Sequence, residues 1–462
     1  MSKQFAHWVK RLRESDVPAY LLLPELIAED IKMGRLSNKD RLPTLRDLSV
    51  ELELNYTTIA RGYAQARKMG LIDSKTGSGT FIKGSLQSAP IRGGSAAEMT
   101  MNLPPEPNNA ILLDNMKVSA AEMMGKSNIY EILRYQDFGG SDKDKSLATQ
   151  WLQRRVPQVK ASQVLVAPGI HSVLTALFSM LAKPGETICI ESLTYPGVKA
   201  IAAQLGLMVH PIHLDKDGPL PQEFENACQT LKPKAFYCNP TLLNPTSQTI
   251  TLNRRNQLAD IALKYSVPII EDDAYSMLPT HFVPALATIA PELTYYVSGL
   301  SKCFGAGVRS AFVSSPSVRA SQRLAGSLRA TTVMASPITN ALTSHWIENG
   351  IVDKMLLAIR EESTFRQKLV TNYFKQGTYK ANAQGFHLWL PLINDWSAVE
   401  FASYLRGKGV SVVASAAFSS IPDPPQAVRI CLGGPTSREE CEMSLKLIAD
   451  TMNNPVHPHS TV

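Results

Sequence analysis

Apolar positions recur with two different periods along this chain, and the change divides it. Over the first eighty residues the period is helical. Leu22, Leu23, Leu26, Ile27 and Ile31 share one helix face and predict a helix over 19–33 that Gly34 ends. A second helix is expected after Pro43, with Thr44 as N-cap and Leu45, Leu48, Val50 and Leu52 turned inward. A third is expected over 55–69, with Ile59 and Tyr63 one turn apart and Gly70 as its stop. The apolar runs 71–73 and 80–82 then flank Lys75, Thr76, Gly77, Ser78 and Gly79, which reads as a hairpin with a small, flexible tip. Three helices and a hairpin make a winged helix-turn-helix. Its third helix would enter a DNA major groove, and its Gly-rich wing can approach the phosphate backbone.

Residues 84–100, GSLQSAPIRGGSAAEMT, have neither period and read as a flexible linker. From residue 164 short apolar runs alternate with helical stretches. Strands are expected at Val164–Ala167, Thr187–Glu191, 208–214, 235–238, 267–272, 295–298 and Ala311–Ser314, with a helix over Leu252–Tyr265. This alternation implies an α/β domain with a mostly parallel sheet covered on both faces. Past about 350 a smaller α+β part follows, with strands near 386–390, 410–413 and 428–431. The expected division is 1–83, 84–100 and 101–455, followed by a frayed tail whose two histidines are too few for a metal site.

Composition narrows the class. At 462 residues the chain exceeds one ordinary domain, and 44% hydrophobic residues suffice for a sizeable core. No apolar stretch is long enough to span a bilayer, and the first sixteen residues lack a secretory apolar run. The six cysteines lack CxxC spacing, which suits reduced thiols in a cytoplasm and argues against a zinc site or a disulfide framework. Of the net charge of +7, residues 1–84 hold a concentrated part, with fourteen Lys and Arg against ten Asp and Glu. That balance fits nucleic acid, and it fits a solvated surface equally well.

The candidate chemistry sits where expected strands run out. Asp272 closes one run and Lys302 follows another, thirty residues later. A carboxylate and an amine so placed can hold the two ends of one planar cofactor, pyridoxal 5′-phosphate. The amine forms a Schiff base with its aldehyde, and the carboxylate keeps its pyridine nitrogen protonated. Pro168, Gly169, Ile170 and His171 precede a helix whose N-terminal amides suit a phosphate, although one glycine before a helix is also an ordinary tight turn. Further runs are Tyr195–Pro196–Gly197, the stretch from Asn239 to Ser247, Glu271–Asp272–Asp273–Ala274–Tyr275, and Ser301–Lys302 with Arg309 seven residues on.

Two resemblances follow from these residues. MGRLSNKDRLPTLRDLSVELELNYTTIARGYAQARKMGLID and TGSGTFI resemble the GntR-type DNA-binding domain over nearly all of 18–83. The resemblance implies that Arg46, Tyr56, Thr57, Thr58 and Arg61 face double-stranded DNA, with Gly77 and Gly79 in the wing. The family often carries Arg at the place of Tyr56, so one guanidinium-to-guanine contact is not offered there. The motifs of the large domain, in their order, resemble fold type I aminotransferases over about 100–450. By that resemblance Lys302 carries the cofactor and shuttles protons, and Asp272 pairs with the pyridine nitrogen. Asn244 and Tyr275 bond the ring's phenolic oxygen, and Tyr195 stacks on the ring. Gly169, Ile170, His171, Ser301 and Arg309 surround the phosphate. Tyr135 reaches the phosphate of a neighbouring subunit, which implies a homodimer. Arg429, with Asn244, binds a ligand, Arg429 clamping its α-carboxylate.

Three departures bear on the cup. Pro168 and Gly169 stand where many relatives carry hydroxyls, Gly299 where Ser is frequent, and Ser247 where Asn-Pro-Thr-Gly has its glycine. A GntR-type reader joined to an aminotransferase-like domain resembles the MocR group. This implies a transcription regulator sensing pyridoxal phosphate, an amino acid or an amine. The alternative is a working aminotransferase, exchanging amino acid and 2-oxo acid, with a fused DNA-binding domain.

Overall fold

The computed structural model describes residues 5–15, 17–32, 35–36, 40–68, 71–75, 79–82 and 97–453, which fall into two units, Met1–Gly94 and Ser95–Val462. Gly34, Gly70, Gly77, most of the expected linker and the tail lie outside the described residues.

The first unit runs α1 (Ala6–Glu14), α2 (Ala19–Lys32), β1 (Arg41–Leu42), α3 (Leu45–Glu51), α4 (Tyr56–Lys68), β2 (Ile72–Lys75) and β3 (Gly79–Ile82). The strands form an antiparallel sheet in the order β1-β3-β2. Thr44 caps α3. Its hydroxyl oxygen accepts from the Asp47 amide at 3.2 Å and its hydroxyl donates to the Asp47 carboxylate at 2.6 Å. Leu48 and Leu52 are buried one turn apart, whereas Val50, expected inward, is 75% exposed. Two residues on a helix are about 200° apart, so Val50 cannot share the face of Leu48 and Leu52.

Helix α1 was not expected, because its stretch is charged and its apolar face is short. One buried side chain anchors it. Trp8 is fully buried, and its Nε1 donates to Asp30 at 2.9 Å. The same buried carboxylate takes the Arg35 Nε at 2.8 Å and lies 2.9 Å from the His7 Nε2.

The second unit is built on a seven-stranded sheet. Its strands are β5 (Val164–Ala167), β6 (Thr187–Glu191), β7 (Met208–Ile212), β8 (Phe236–Cys238), β9 (Ile269–Asp272), β10 (Thr294–Gly299) and β11 (Ala311–Ser314), in the spatial order β5-β11-β10-β9-β8-β6-β7. Only β11 is antiparallel, to β10 and β5 alike; the other pairings are parallel. Apolar clusters cover both faces. The ends of β5, β8, β9 and β10 thus open on one crevice, where parallel sheets collect their ligands.

The smaller part holds the helix Ile351–Tyr373 and the strands β12 (Lys380–Ala381), β13 (His387–Pro391), β15 (Val413–Ala414) and β16 (Ala427–Cys431), ordered β12-β13-β16-β15. The single strand expected over 410–413 is divided. Its first half, β14 (Val410–Ser411), pairs in parallel with β4 (Ala97–Glu98), while β15 joins β16. The linker expected to run to residue 100 is therefore structured at its end. Ala97 and Met99 are buried with Val370, Leu388 and Phe401, because this short stretch adds apolar side chains to the small part's core.

Candidate functional site

Strand geometry sorts the two acids that end β9, Glu271 and Asp272. Successive side chains alternate across a sheet. Glu271 points to one face, where the Leu286 and Ala287 amides donate to it at 2.9 and 2.8 Å and Arg255 lies 3.7 Å away. Asp272 points to the other. There Tyr237, on the neighbouring strand β8, donates its hydroxyl to Asp272 Oδ2 at 2.9 Å. The second carboxylate oxygen of Asp272 is buried and has no partner. Burial pushes the Asp272 carboxyl up to about 6, against the Tyr237 hydrogen bond, and pushes the Tyr237 phenol well up, so that it stays a donor. Asn239 braces the strand end. Its side-chain amide donates to the Asp272 carbonyl at 2.6 Å and its backbone amide to the buried Glu191 at 2.7 Å.

Register also brings the phosphate-side residues together. β11 pairs antiparallel with β5 so that Ala311 faces Ala167. Arg309 therefore falls opposite Gly169. Gly169 has φ +92°, and a Cβ there would come within 2.8 Å of the Arg309 guanidinium. The positive φ favours glycine here, and a side chain would also displace the Arg309 guanidinium. The helix Ile170–Leu181 begins at this point. Partial burial, and then the Arg309 charge, hold the His171 imidazole below its ordinary value. The Gly299 departure has a steric reason. A Cβ would lie 3.0 Å from the Ser310 carbonyl and 3.3 Å from Ile170, a tight fit that a side chain could take only if these neighbours shifted.

The covalent and carboxylate-binding candidates line the same cavity. Lys302 follows β10, with its Nζ 5.7 Å from the centre of the Tyr275 ring. Burial lowers its ammonium to about 8. Its Nζ donates to the backbone carbonyl of Asn102. The side-chain amide of Asn102 donates to the Tyr275 hydroxyl at 2.8 Å. Arg429, on β16, donates one guanidinium nitrogen to Asn244 Oδ1 at 2.7 Å and the other to the Thr100 carbonyl, and lies 4.7 Å over the Phe418 ring. The Tyr195 ring folds back over Gly197, where a Cβ would come within 2.3 Å of it. Burial first, and then the Asp272 charge, raise the Tyr195 phenol. Ser247 has φ +60°, the left-handed backbone that the more usual glycine takes freely, and its hydroxyl donates to the His387 carbonyl at 3.0 Å.

These elements enclose a cavity of about 540 Å³. It gathers Gly169, Ile170, His171, Tyr195, Asn244, Asp272, Tyr275, Ser301, Lys302, Arg309 and Arg429. Tyr135 is not among the lining residues; it is 80% exposed. The sequence reading missed Tyr237, Asn102 and Thr100. Tyr237 lies mid-strand, where a buried tyrosine carries no motif, and Thr100 and Asn102 fell within or beside the expected linker. Asn239 opened a quoted motif without a role. The residues fit pyridoxal phosphate on two counts. A buried carboxylate oxygen without a partner suits a protonated pyridine nitrogen, and an arginine packed on a glycine before a helix suits a phosphate. Among the described residues no cluster of His, Cys, Asp and Glu could hold a metal ion.

In the first unit Arg46, Tyr56, Thr57 and Arg61 are exposed and Thr58 is half-buried. The Arg61 guanidinium lies 4.0 Å from the centre of the Tyr20 ring, so this arginine is also a helix-to-helix contact. Gly79 has φ +114°, and the Arg41 guanidinium lies against it.

Comparison with known proteins agrees with this division. Residues 98–448 match the family model for aminotransferase class I and II, and residues 20–82 match that for bacterial regulatory proteins of the gntR family. The HTH-type transcriptional regulator YdeF of Bacillus subtilis (strain 168) is 29% identical over 449 residues, 96% of either chain. The vitamin B6 salvage pathway transcriptional repressor PtsJ of Salmonella typhimurium is 25% identical, over 88% of this chain and 92% of its own. An archaeal alanine:glyoxylate aminotransferase superposes with a TM-score of 0.71 at 22% identity, over 79% of this chain and 92% of its own.

Proposed function

Since the chain belongs to the class I and II aminotransferase family and carries a gntR-type unit ahead of that domain, we propose that it is a pyridoxal phosphate-dependent, DNA-binding transcription regulator of the MocR type. It works in the cytoplasm and senses the cofactor, or an amino acid or amine joined to it. When bound, the cofactor supplies an aldehyde that takes an amine and a ring that accepts electrons. Lys302 holds it, Asp272 keeps its ring nitrogen charged, and Arg309 with the amides at Gly169–Ile170–His171 holds its phosphate. Asn244 and Tyr275 offer hydrogen bonds to the ring oxygen, and Ser301 flanks the phosphate side. Arg429 receives a carboxylate.

One observation carries the regulatory reading. The carbonyls of Thr100 and Asn102 accept from Arg429 and Lys302, the two groups that an amino acid and the cofactor need. The segment begins at β4, directly after the connector from the DNA-binding unit. A ligand that takes those donors must release Thr100–Asn102. That gives it different free energies in two arrangements of the segment, which is the requirement for a switch. The competing reading, a working transaminase, is also supported, because Lys302, Asp272 and Arg429 line one cavity.

The two readings are separated by titrating the purified protein with pyridoxal phosphate and a panel of amino acids. DNA affinity and turnover with 2-oxoglutarate are followed together. A regulator changes DNA affinity with ligand and turns over slowly or not at all. Fast turnover with DNA affinity unmoved by every ligand overturns the proposal.

The reading includes a homodimer that presents two DNA-binding units to paired half-sites, with Tyr135 reaching the partner's phosphate. Its support is the exposure of large apolar side chains along residues 111–135: Ile111, Val118, Tyr130, Leu133 and Tyr135 are all more than half exposed. On DNA, Arg46 and Arg61 are the expected positive contacts. Arg46→Ala should lower the salt dependence of binding by about one unit of slope.

A further inference from the structure

A groove on the far side of the Asn244 loop carries a second cluster of polar and charged groups. It lies between the helix Ile351–Tyr373, β12 and residues 246–248, with a volume of about 600 Å³. That is within the range of small-molecule sites. Lys216, Lys368 and Lys380 line it, and no carboxylate does. The neighbouring Asp215 is occupied elsewhere, holding Arg254 through both oxygens at 3.0 and 2.9 Å. None of the three lysines has an ion-pair partner among the described residues.

Unpaired lysines alone would make only a solvated basic face. A second observation separates this groove from one. The Thr246 hydroxyl, on a residue 3% exposed that lines the groove, is buried and has no hydrogen-bond partner. Buried hydroxyls are nearly always bonded, so an unsatisfied one in the groove wall calls for a partner.

The loop that carries Thr246 also carries Asn244. It is closed by hydrogen bonds from the Leu243 amide to the Gln248 carbonyl and from the Ser247 amide to the Leu243 carbonyl, both 2.7 Å. On its inner side Asn244 accepts from Arg429. Ser247 ties it to His387, whose ring lies 5.5 Å from that of Tyr275. One short, braced turn thus has one end in each cavity.

We propose that this groove is a second ligand site, for a small polyanion bearing phosphate or several carboxylates. Its occupancy is felt at the cofactor through the turn 243–248. Three ammonium groups around a concave wall concentrate anions, and Thr246 supplies a neutral hydrogen bond. The coupling is reciprocal, so the anion changes cofactor affinity by the factor by which the cofactor changes anion affinity. The proposal rests on the cofactor reading only for that last clause.

The test is calorimetric titration of the full chain, loaded with cofactor, at constant ionic strength. The probes are inorganic phosphate and citrate. The expected result is one saturable site per chain for at least one probe, weakened at least about tenfold in Lys368→Gln/Lys380→Gln. The cofactor's absorption band should move as the site fills. Saturation by phosphate alone identifies a phosphate ligand; saturation by citrate alone identifies a carboxylate ligand. No saturable binding, or equal binding in wild type and the double variant, overturns the site. Binding lost in Arg309→Gln but kept in the double variant puts the anion in the cofactor's own phosphate cradle, and also overturns it. Binding that leaves the band unmoved overturns the coupling. Whether the chain takes the cofactor at all is read separately, from its absorption before any probe is added.

Discussion

Asp272 and Arg429 are both buried charges facing one cavity, but they are held differently. Asp272 sits on a central strand, and its partners Tyr237 and Asn239 stand on or just beyond the next strand. The sheet that fixes the carboxylate fixes its partners as well, so this side is preorganised whatever the cavity holds. Arg429 lies on the small part's sheet, and one of its two partners is the carbonyl of Thr100, in a segment that follows the connector. Lys302 comes off the large sheet, after β10, but its amine also leans on this segment, at Asn102. On this side the protein's own backbone takes the donors that a ligand would use. On the proposed reading, the sheet side would hold the cofactor and the small-part side would answer to it.

Substitutions on the two sides should therefore separate. The largest effect belongs to Lys302→Ala, which should abolish covalent attachment, read as loss of the borohydride-fixed adduct with the fold intact. An adduct that persists would mean that another lysine carries the cofactor. Next is Arg429→Leu, expected to keep the cofactor and basal DNA binding while costing about 2–5 kcal/mol of affinity for an amino-acid ligand. Equal ligand affinity in the variant would remove the carboxylate clamp. On the sheet side, Tyr237→Phe should reverse that pattern. Taking a donor from a buried carboxylate should lower cofactor affinity by about 1–3 kcal/mol and leave the preference among amino acids unchanged. A changed preference would break the distinction between the two sides.

The smallest effect is one of pH. Only the neutral amine attacks an aldehyde, and burial lowers Lys302 to about 8. The rate of covalent attachment should therefore rise with pH and level off above that value, gaining roughly tenfold between about pH 7 and pH 9. A rate still climbing steeply at about pH 10 would mean an ordinary, solvated lysine.

Legibility in the sequence followed the range of the contacts. The helix Leu252–Tyr265 and the strand Val164–Ala167 were legible to the residue, because periodicity and a cap are local signals. Asp272, Lys302 and Arg309 were legible because each ends or follows a strand in a recognisable run. Tyr237 was not, since its bond to Asp272 depends on strand pairing. Nor was the role of Asn102, whose contacts with Tyr275 and Lys302 cross 173 and 200 residues of chain. Val50 was misread for a different reason. Hydrophobicity alone was allowed to set its direction, where the helical period forbids the inward face.

The central claim is that a ligand in the cavity acts on the DNA-binding unit by displacing Thr100–Asn102. Amide hydrogen exchange across residues 97–103, followed together with DNA affinity as pyridoxal phosphate and then an amino acid are added, tests it most directly. The account predicts faster exchange at Met101, Asn102 and Leu103 at the ligand concentration that changes DNA affinity, with both responses absent in Lys302→Ala. A change in DNA affinity while exchange in this segment stays as it was would contradict it.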